Sequence, residues 1–400
     1  MPVGLLIPVL VLLPLGRGLS IAQIGAAVAV QGVVVLMLEL PTGGLADALG
    51  RRPVLLAAGL VNLAALTLFV VADTVALLAV SYLLQGVYRA LDSGPLESWF
   101  VDQSLAADPE ADIEGGLSRG EVACSLAMAG AALASGGLVW LGPLGAVSAL
   151  AVPVLAALGL SLLSTIAVAL LMTEDRPARG KAAFVASLRG VPVAIRGALG
   201  LARRSRVVQA LVGVEFLWSF GMVTFEKLMP VRLSEVTTAA GPLLGPVSSA
   251  AWGASAAGAA LAPLLIRRVG ARWAGFTLRI TQGLTVAGMG LFAGPVGVIG
   301  AFLICYAVHG AANPVHSGLL HRQAEGPYRA SLLSLNSMVA APGFAIGAVV
   351  LTAVAAGAGT TVAILAGAVV LAAAAPLYLV KSKTVFREPS HSGTSESLAL

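Results

Sequence analysis

The sequence predicts an all-α integral membrane protein whose helices form two pseudo-symmetric six-helix bundles. Three observations carry that expectation: a composition too apolar for a water-exposed surface, a succession of apolar runs long enough to cross a bilayer, and one long polar break that divides those runs in half. Hydrophobic residues make up 58% of the 400 and charged residues 11%, with a mean hydropathy of +0.95. Soluble domains carry about a quarter charged residues, so the apolar excess has to be buried in lipid. The 47 glycines and 21 prolines would weaken helices in water. In a bilayer, small residues let helix backbones approach closely, and neighbouring groups re-satisfy a broken turn.

Taken in chain order, the apolar runs predict spans at 2–16, 21–43, 53–72, 75–98, 120–141, 146–172, 207–229, 241–266, 273–292, 295–316, 329–354 and 358–380. Runs of about 17–25 apolar residues are what a spanning helix requires. The first is short: Met1-Pro2-Val3 enters the run at once, and 15 residues reach only about 22 Å at 1.5 Å per residue. That reads as a first helix missing part of its start. Residues 1–172 therefore form an N-terminal six-helix bundle, 173–206 a cytoplasmic linker, 207–380 a C-terminal bundle, and 381–400 a disordered tail. Within the linker, Lys181, Arg189 and Arg196 alternate with apolar residues, which suits either an amphipathic helix on the membrane surface or a solvated connection.

Lysine and arginine set the orientation. Arg51, Arg52, the 173–206 stretch, Arg267, Arg268, Arg272, Arg322, Arg329, Lys381, Lys383 and Arg387 share one side, while the opposite connections are nearly neutral. Positive charge stays inside, so both termini are predicted cytoplasmic in an inner, plasma membrane. Arg17 and Arg232 are exceptions, and the connection 102–119 is mostly acidic. This distribution also explains the net charge of +5 without a nucleic-acid partner. Cys124 and Cys305 lie in apolar runs as small core residues, with neither disulfide nor metal spacing.

An offset of 220 residues lays one half on the other. Leu45 falls on Leu265, Gly50 on Gly270, Arg52 on Arg272 and Arg89 on His309, while Asp47 meets Arg267 and Asp102 meets Arg322. Parallel half-repeats are a known transporter architecture.

The stretch Gly43-Gly44-Leu45-Ala46-Asp47-Ala48-Leu49-Gly50-Arg51-Arg52-Pro53 closely resembles the signature loop between helices two and three of the major facilitator superfamily, G-x-L-x-D-x-x-G-R-[R/K]. Every position matches, and the loop falls where that family carries it. The resemblance implies the major facilitator fold, with a substrate cavity between two bundles that rock about it. It also implies a latch that holds the halves together when the outside is open. Physically, Gly43 and Gly50 permit a tight turn. Asp47, just past a helix end, suits the positive N-terminus of a neighbouring helix, and Arg51 and Arg52 are expected to pair with Asp102. Ordinary positive-inside anchoring is the alternative.

Gln85–Trp99 resembles the fourth helix of the drug/proton antiporter branch, in which an arginine lies within the membrane. Intramembrane charge is costly and marks function by default, so Arg89 is a candidate, with Asp92 one turn on to neutralise it; Arg89 could instead snorkel to the surface. The chain departs from that branch on helix five, where Gly130 through Gly136-Gly137 lacks the branch's proline.

Proton coupling needs a carboxylate in the membrane that its desolvated surroundings let load and unload near neutrality. Glu39 precedes Pro41 toward the inner end of helix two. Glu215, nine residues into helix seven, is nearest the midplane and is the leading candidate, unless it serves as a structural partner of Arg279. Glu226, beside Lys227, is read as an interfacial pair. Gln31, His309 and Asn313 are possible cavity-lining groups, as is Trp218 among the aromatics Phe216, Phe220, Phe225 and Trp252.

No phosphate-binding loop, metal-ligand spacing or nucleophile motif occurs in the sequence. The expectation is therefore a non-enzymatic, monomeric secondary transporter without cofactor or metal, driven by the proton gradient. Its partners are a small-molecule substrate and the lipid bilayer. Export of small amphiphilic compounds is the first reading. An importer or exchanger of a specific nutrient and a non-transporting receptor or scaffold on the same fold are the alternatives.

Overall fold

The computed structural model describes residues 2–92, 95–108, 113–145, 147–174, 200, 203, 205–323 and 328–380, and some helical side chains within these ranges, Glu39, Asp47 and Asp102 among them, lie outside the description. Almost all of the described chain is helical. The first half contains α1 (Pro2–Leu6), α2 (Leu12–Gly16), α3 (Ile21–Leu49), α4 (Arg51–Val71), α5 (Val75–Asp92), α6 (Pro95–Ala107), α7 (Ile113–Trp140) and α8 (Val152–Leu171). The second contains α9 (Arg206–Val223), a π-helical turn (Thr224–Leu228), α10 (Met229–Val236), α11 (Ala240–Val269), α12 (Ala271–Leu291), α13 (Pro295–His321), α14 (Tyr328–Ala358), α15 (Thr360–Ala373) and a final 3₁₀ turn (Ala375–Leu379).

Among the described residues, nine helical segments are long and apolar enough to cross a membrane. Their outer faces carry Leu60, Leu163, Leu170, Leu261 and Val369, all exposed. Apolar surface on that scale belongs against lipid. The interior is one apolar cluster running through both halves and a second confined to the second half. Cys305 lies in that interior, but Cys124 is exposed, which corrects the expectation that both fill the core.

Several expected boundaries shift. The first span is two short helices joined by a turn over residues 7–11, rather than one helix over 2–16. Helix α3 does not stop at residue 43 but runs on to Leu49, so most of the signature stretch is helix and Asp47 lies in its last turn. Hydropathy marks where lipid ends, whereas backbone hydrogen bonding carries a helix onward into the polar layer. The predicted span 75–98 is divided between α5 and α6. The span predicted to end at 229 continues through the π turn to Val236, which places Glu226 and Lys227 inside the helix rather than at its edge. Residues 175–199 of the linker and 381–400 of the tail lie outside the described residues, and so do both assignments.

The two arginines that break the charge rule have a structural reason. Arg17 Nη1 donates to the carbonyls of Phe69 and Ala72, at 3.0 and 2.9 Å, and its Nη2 donates to Val70. The guanidinium thus caps the open carbonyl end of α4, where positive charge is favoured. Arg232 does the same for α12, donating to the Phe292 carbonyl at 3.1 Å while pairing with Glu235 at 3.0 Å. Each residue closes the first three-helix unit of its half. The 220-residue repeat is equally visible at the glycine pair: Gly50 adopts φ 95°, ψ 154° and Gly270 φ 80°, ψ 153°. Both conformations lie in a region closed to residues with a side chain, and each separates two helices by one residue.

The halves meet along two seams, α3 against α14 and α7 against α11. Both seams lie at the end of the molecule remote from the signature stretch. There Gly25 faces the Ala348 carbonyl, and a Cβ added to Gly245 would stand 2.6 Å from the Ala132 carbonyl oxygen. Only glycine allows backbones that close. Gly245→Ala is expected to destabilise the protein by about 1–3 kcal/mol through overpacking. Gly253, on the same helix with open space around it, should accept alanine with no loss or a small gain. Thermal unfolding of the two variants in detergent checks the contrast.

Candidate functional site

Polar side chains in a lipid-facing bundle survive only where other protein groups satisfy them. One such concentration lies inside the second half, built from five elements. Helix α9 supplies Glu215 and Trp218, α12 supplies Arg279 and Gln282, α13 supplies His309 and His316, α14 supplies Asn336, and the 3₁₀ turn supplies Tyr378. Arg279 is 1% exposed and Gln282 fully buried. The Glu215 side chain retains 12% exposure.

The geometry is explicit. His316 Nε2 stands 3.5 Å from a Glu215 carboxylate oxygen and 3.2 Å from Asn336 Oδ1, while His316 Nδ1 lies 3.0 Å from the Tyr378 hydroxyl. Two acceptors near Nε2 assign the proton of a neutral ring to that nitrogen, so Tyr378 donates to Nδ1. Arg279 Nη1 donates to Gln282 Oε1 at 2.6 Å, and the guanidinium lies 5.5 Å from the Trp218 ring centroid. Trp218 stacks on His309, with centroids 5.2 Å apart and planes within 4°. Glu215 lies within the electrostatic reach of Arg279, so carboxylate and guanidinium offset one another's charge in a dry interior.

Not every polar atom here is paired. Trp218 Nε1, Arg279 Nε, Gln282 Nε2 and His309 Nδ1 have no hydrogen-bond partner among the described residues. Unpaired buried groups cost about 1–3 kcal/mol each, and they are where internal water or a polar ligand group would bond.

The other sequence candidates are dispersed. At the signature stretch, the backbone N–H groups of Arg51 and Arg52 donate to the two Glu174 carboxylate oxygens, at 2.8 and 3.1 Å. Glu174 is thus an acid seated at this helix N-terminus, while the Asp47 side chain lies outside the described residues. Arg52 Nη2 donates to the Ala169 carbonyl at 2.5 Å and so caps α8. The expected pairing with Asp102 cannot be followed, because that side chain lies outside the described residues. Gly43 and Leu45 lie in the helical part of the stretch, ahead of the Gly50 turn. Asp92 accepts from the Tyr88 hydroxyl at 3.3 Å, and no hydrogen bond or ion pair joins it to Arg89, contrary to the local neutralisation expected. Arg89 is exposed on α5, Asn313 is exposed on α13, and Gln31 is half-buried on α3. Lys227 stands 4.0 Å from Glu226 in the π turn, its ammonium 5.9 Å from the Phe344 ring.

The sequence profile of the Major Facilitator Superfamily matches residues 1–315. The chain belongs to that superfamily. Among solved structures, the fold is similar to that of the nucleoside transporter NupG, with 14% identity and a TM-score of 0.74, covering 94% of this chain and 95% of that one. It is also similar to a variant of the peptide transporter POT, with 16% identity and a TM-score of 0.68, covering 94% and 90%. At such identities the likeness is one of fold. No curated protein matches the sequence. The chain is thus a multi-pass integral membrane protein with the major facilitator fold, and membership of the superfamily points to transport rather than catalysis.

Sequence reasoning singled out Glu215, Trp218 and His309 and named Arg279 as a partner, but it missed His316, Gln282, Asn336 and Tyr378. The spacing of His309 and His316, seven residues or nearly two full turns, was a usable signal for one shared face. Charge compensation at the centre makes a direct prediction. Arg279→Met leaves a buried carboxylate without its counter-charge and should cost about 3–5 kcal/mol. Adding Glu215→Gln to it should recover much of that loss, and a double-mutant cycle on thermal unfolding reads the coupling.

Proposed function

We propose that this protein is a proton-coupled secondary transporter working by alternating access, with Glu215 as its coupling carboxylate. The carrying observation is the buried Glu215–His316–Arg279 cluster within one half of a two-bundle carrier. In this reading, ionised Glu215 neutralises Arg279. Protonation of Glu215 leaves a guanidinium without its counter-charge, and the cluster rearranges or recruits a substrate group to compensate. The packed glycine seams at the end remote from the signature stretch correspond to a carrier closed there. The signature stretch, with Asp47, Arg51, Arg52 and Asp102, is proposed as the contact that secures the opposite end in the alternate state, and Arg89 as a charge facing the central cavity. Both termini and the signature stretch are assigned to the cytoplasmic side.

For the cargo, the proposal is export of small amphiphilic compounds. The aromatic wall of Trp218, Phe225 and Tyr306, packed around His309, suits an apolar body, and the unpaired polar atoms beside it suit one polar group. A second reading, uptake of a nutrient, is supported by the structural likeness to a nucleoside and a peptide transporter.

One experiment separates them. Cells lacking their own pumps are loaded with a panel of cationic dyes and, in parallel, offered labelled nucleosides and dipeptides, with and without a proton uncoupler. Dye retention lowered by the protein and restored by the uncoupler supports export, whereas uncoupler-sensitive accumulation of a labelled nutrient supports uptake. In either case Glu215→Gln is expected to abolish the uncoupler-sensitive component. Persistence of that component in the variant would remove Glu215 from the mechanism.

A further inference from the structure

The cluster around Glu215 is not sealed on all sides. A cavity of about 340 Å³ opens at the end of the second half that corresponds to the signature stretch, walled by Leu211 of α9, Gly270 and Arg272 at the α11–α12 turn, Leu319 and Arg322 at the end of α13, and Tyr378. Tyr378 is itself 2% exposed, so it forms the inner wall between this cavity and the buried cluster.

From the cavity inward, the hydrogen-bonding groups form an ordered series. The Tyr378 hydroxyl donates to His316 Nδ1 at 3.0 Å, and Nε2 of the same ring, hydrogen-bonded to Asn336 Oδ1 at 3.2 Å, stands 3.5 Å from a Glu215 carboxylate oxygen. An imidazole carries a donor on one nitrogen and an acceptor on the other, so it passes a proton without holding net charge for long. The surrounding charges suit that role. Arg279 on α12 lies within electrostatic reach of Glu215, His309, His316 and Tyr378 alike. Asn336 on α14 bonds His316 Nε2 and so fixes the ring beside the carboxylate. Arg272 and Arg322 flank the mouth.

We propose that Tyr378 and His316 form a proton route between Glu215 and solvent at this end of the molecule, separate from the substrate cavity between the halves. Loading proceeds by transfer of Nε2–H to the Glu215 carboxylate, transfer of the phenol proton to Nδ1, and replacement of the phenol proton from a hydronium ion in the cavity. Charge and protons balance, and release runs the same steps in reverse. The 3.5 Å gap is the longest link, and it closes by carboxylate rotation at the moment of transfer. Tyr378 and His316 are thus positioning and relay groups for the coupling step, and the route rests on the assignment of Glu215 as the coupling carboxylate.

The test follows Glu215 directly. The purified full chain in lipid nanodiscs receives a light-released pulse of acid, and the infrared band of a protonated carboxyl, identified by its loss in Glu215→Gln, is timed. Tyr378→Phe, which keeps the ring and removes only the hydroxyl, is expected to leave the final band amplitude nearly unchanged and to slow its rise by about a hundredfold. Arg322→Cys in a Cys124→Ala background, labelled with a bulky maleimide at the cavity mouth, should slow the rise with Tyr378 intact. That second variant carries the test if Tyr378→Phe does not fold. A rise at the unmodified rate in the Tyr378→Phe protein, or in the labelled one if that variant does not fold, overturns the route while leaving Glu215 as the proton site. Absence of any Glu215 band in the unmodified protein overturns the coupling assignment and the route with it.

Discussion

Everything in the second half is arranged around a guanidinium that cannot reach water. Arg279 is 1% exposed in a bundle whose exterior is hydrocarbon, where an uncompensated charge costs several kcal/mol or more. Five elements, its own helix among them, therefore surround it with a carboxylate, two amides, a phenol, an indole face and two imidazoles. Each packing contact among those elements inherits that demand, because moving any one of them strands a polar group. The first half carries no comparable cluster among its described residues, and its interior polar contacts are of the small, local kind, such as Asn62 with Ser161 at 2.9 Å and Ser81 with the Ala65 carbonyl at 2.9 Å. The repeat is thus symmetric in frame and asymmetric in chemistry.

That frame is maintained by backbone closure rather than by side-chain identity. Arg17 and Arg232 come from unrelated local sequences, yet each closes the carbonyl end of the third helix in its half. The amide ends differ: Glu174 occupies that of α4, whereas the corresponding end of α12 borders the open cavity. One half has filled its seat from its own chain, while a cavity adjoins the corresponding end in the other.

Much of this architecture can be read from the residues. Gly50, Gly270, the Asp73 turn and the Gly294-Pro295 step punctuate the chain so sharply that α4 and α12 begin and end within two residues of expectation. The extension of α3 to Leu49 was not legible, because polar residues at a membrane surface remain helical while hydropathy falls. Glu215 stood out as a lone acid in an apolar run. Its partners did not, since His316 lies 101 positions away and Tyr378 a further 62, and nothing local in a histidine or a tyrosine near a helix end announces a distant carboxylate. Glu174 escaped for the same reason, lying more than 120 residues from the amides it caps.

The glycine seams have a mechanical consequence. At that end the halves touch through bare backbone and small side chains, so what resists their separation is dispersion and close fit, with no charge to be screened. Parting them opens two narrow furrows that acyl chains or water must enter. The motion there answers to lateral pressure and chain packing in the surrounding bilayer. The opposite end, rich in arginine and carboxylate, answers to ionic strength. In the proposed alternating-access cycle, two environmental variables thus act on the two ends of the molecule, and lipid composition becomes a determinant of its equilibrium alongside the ionic medium.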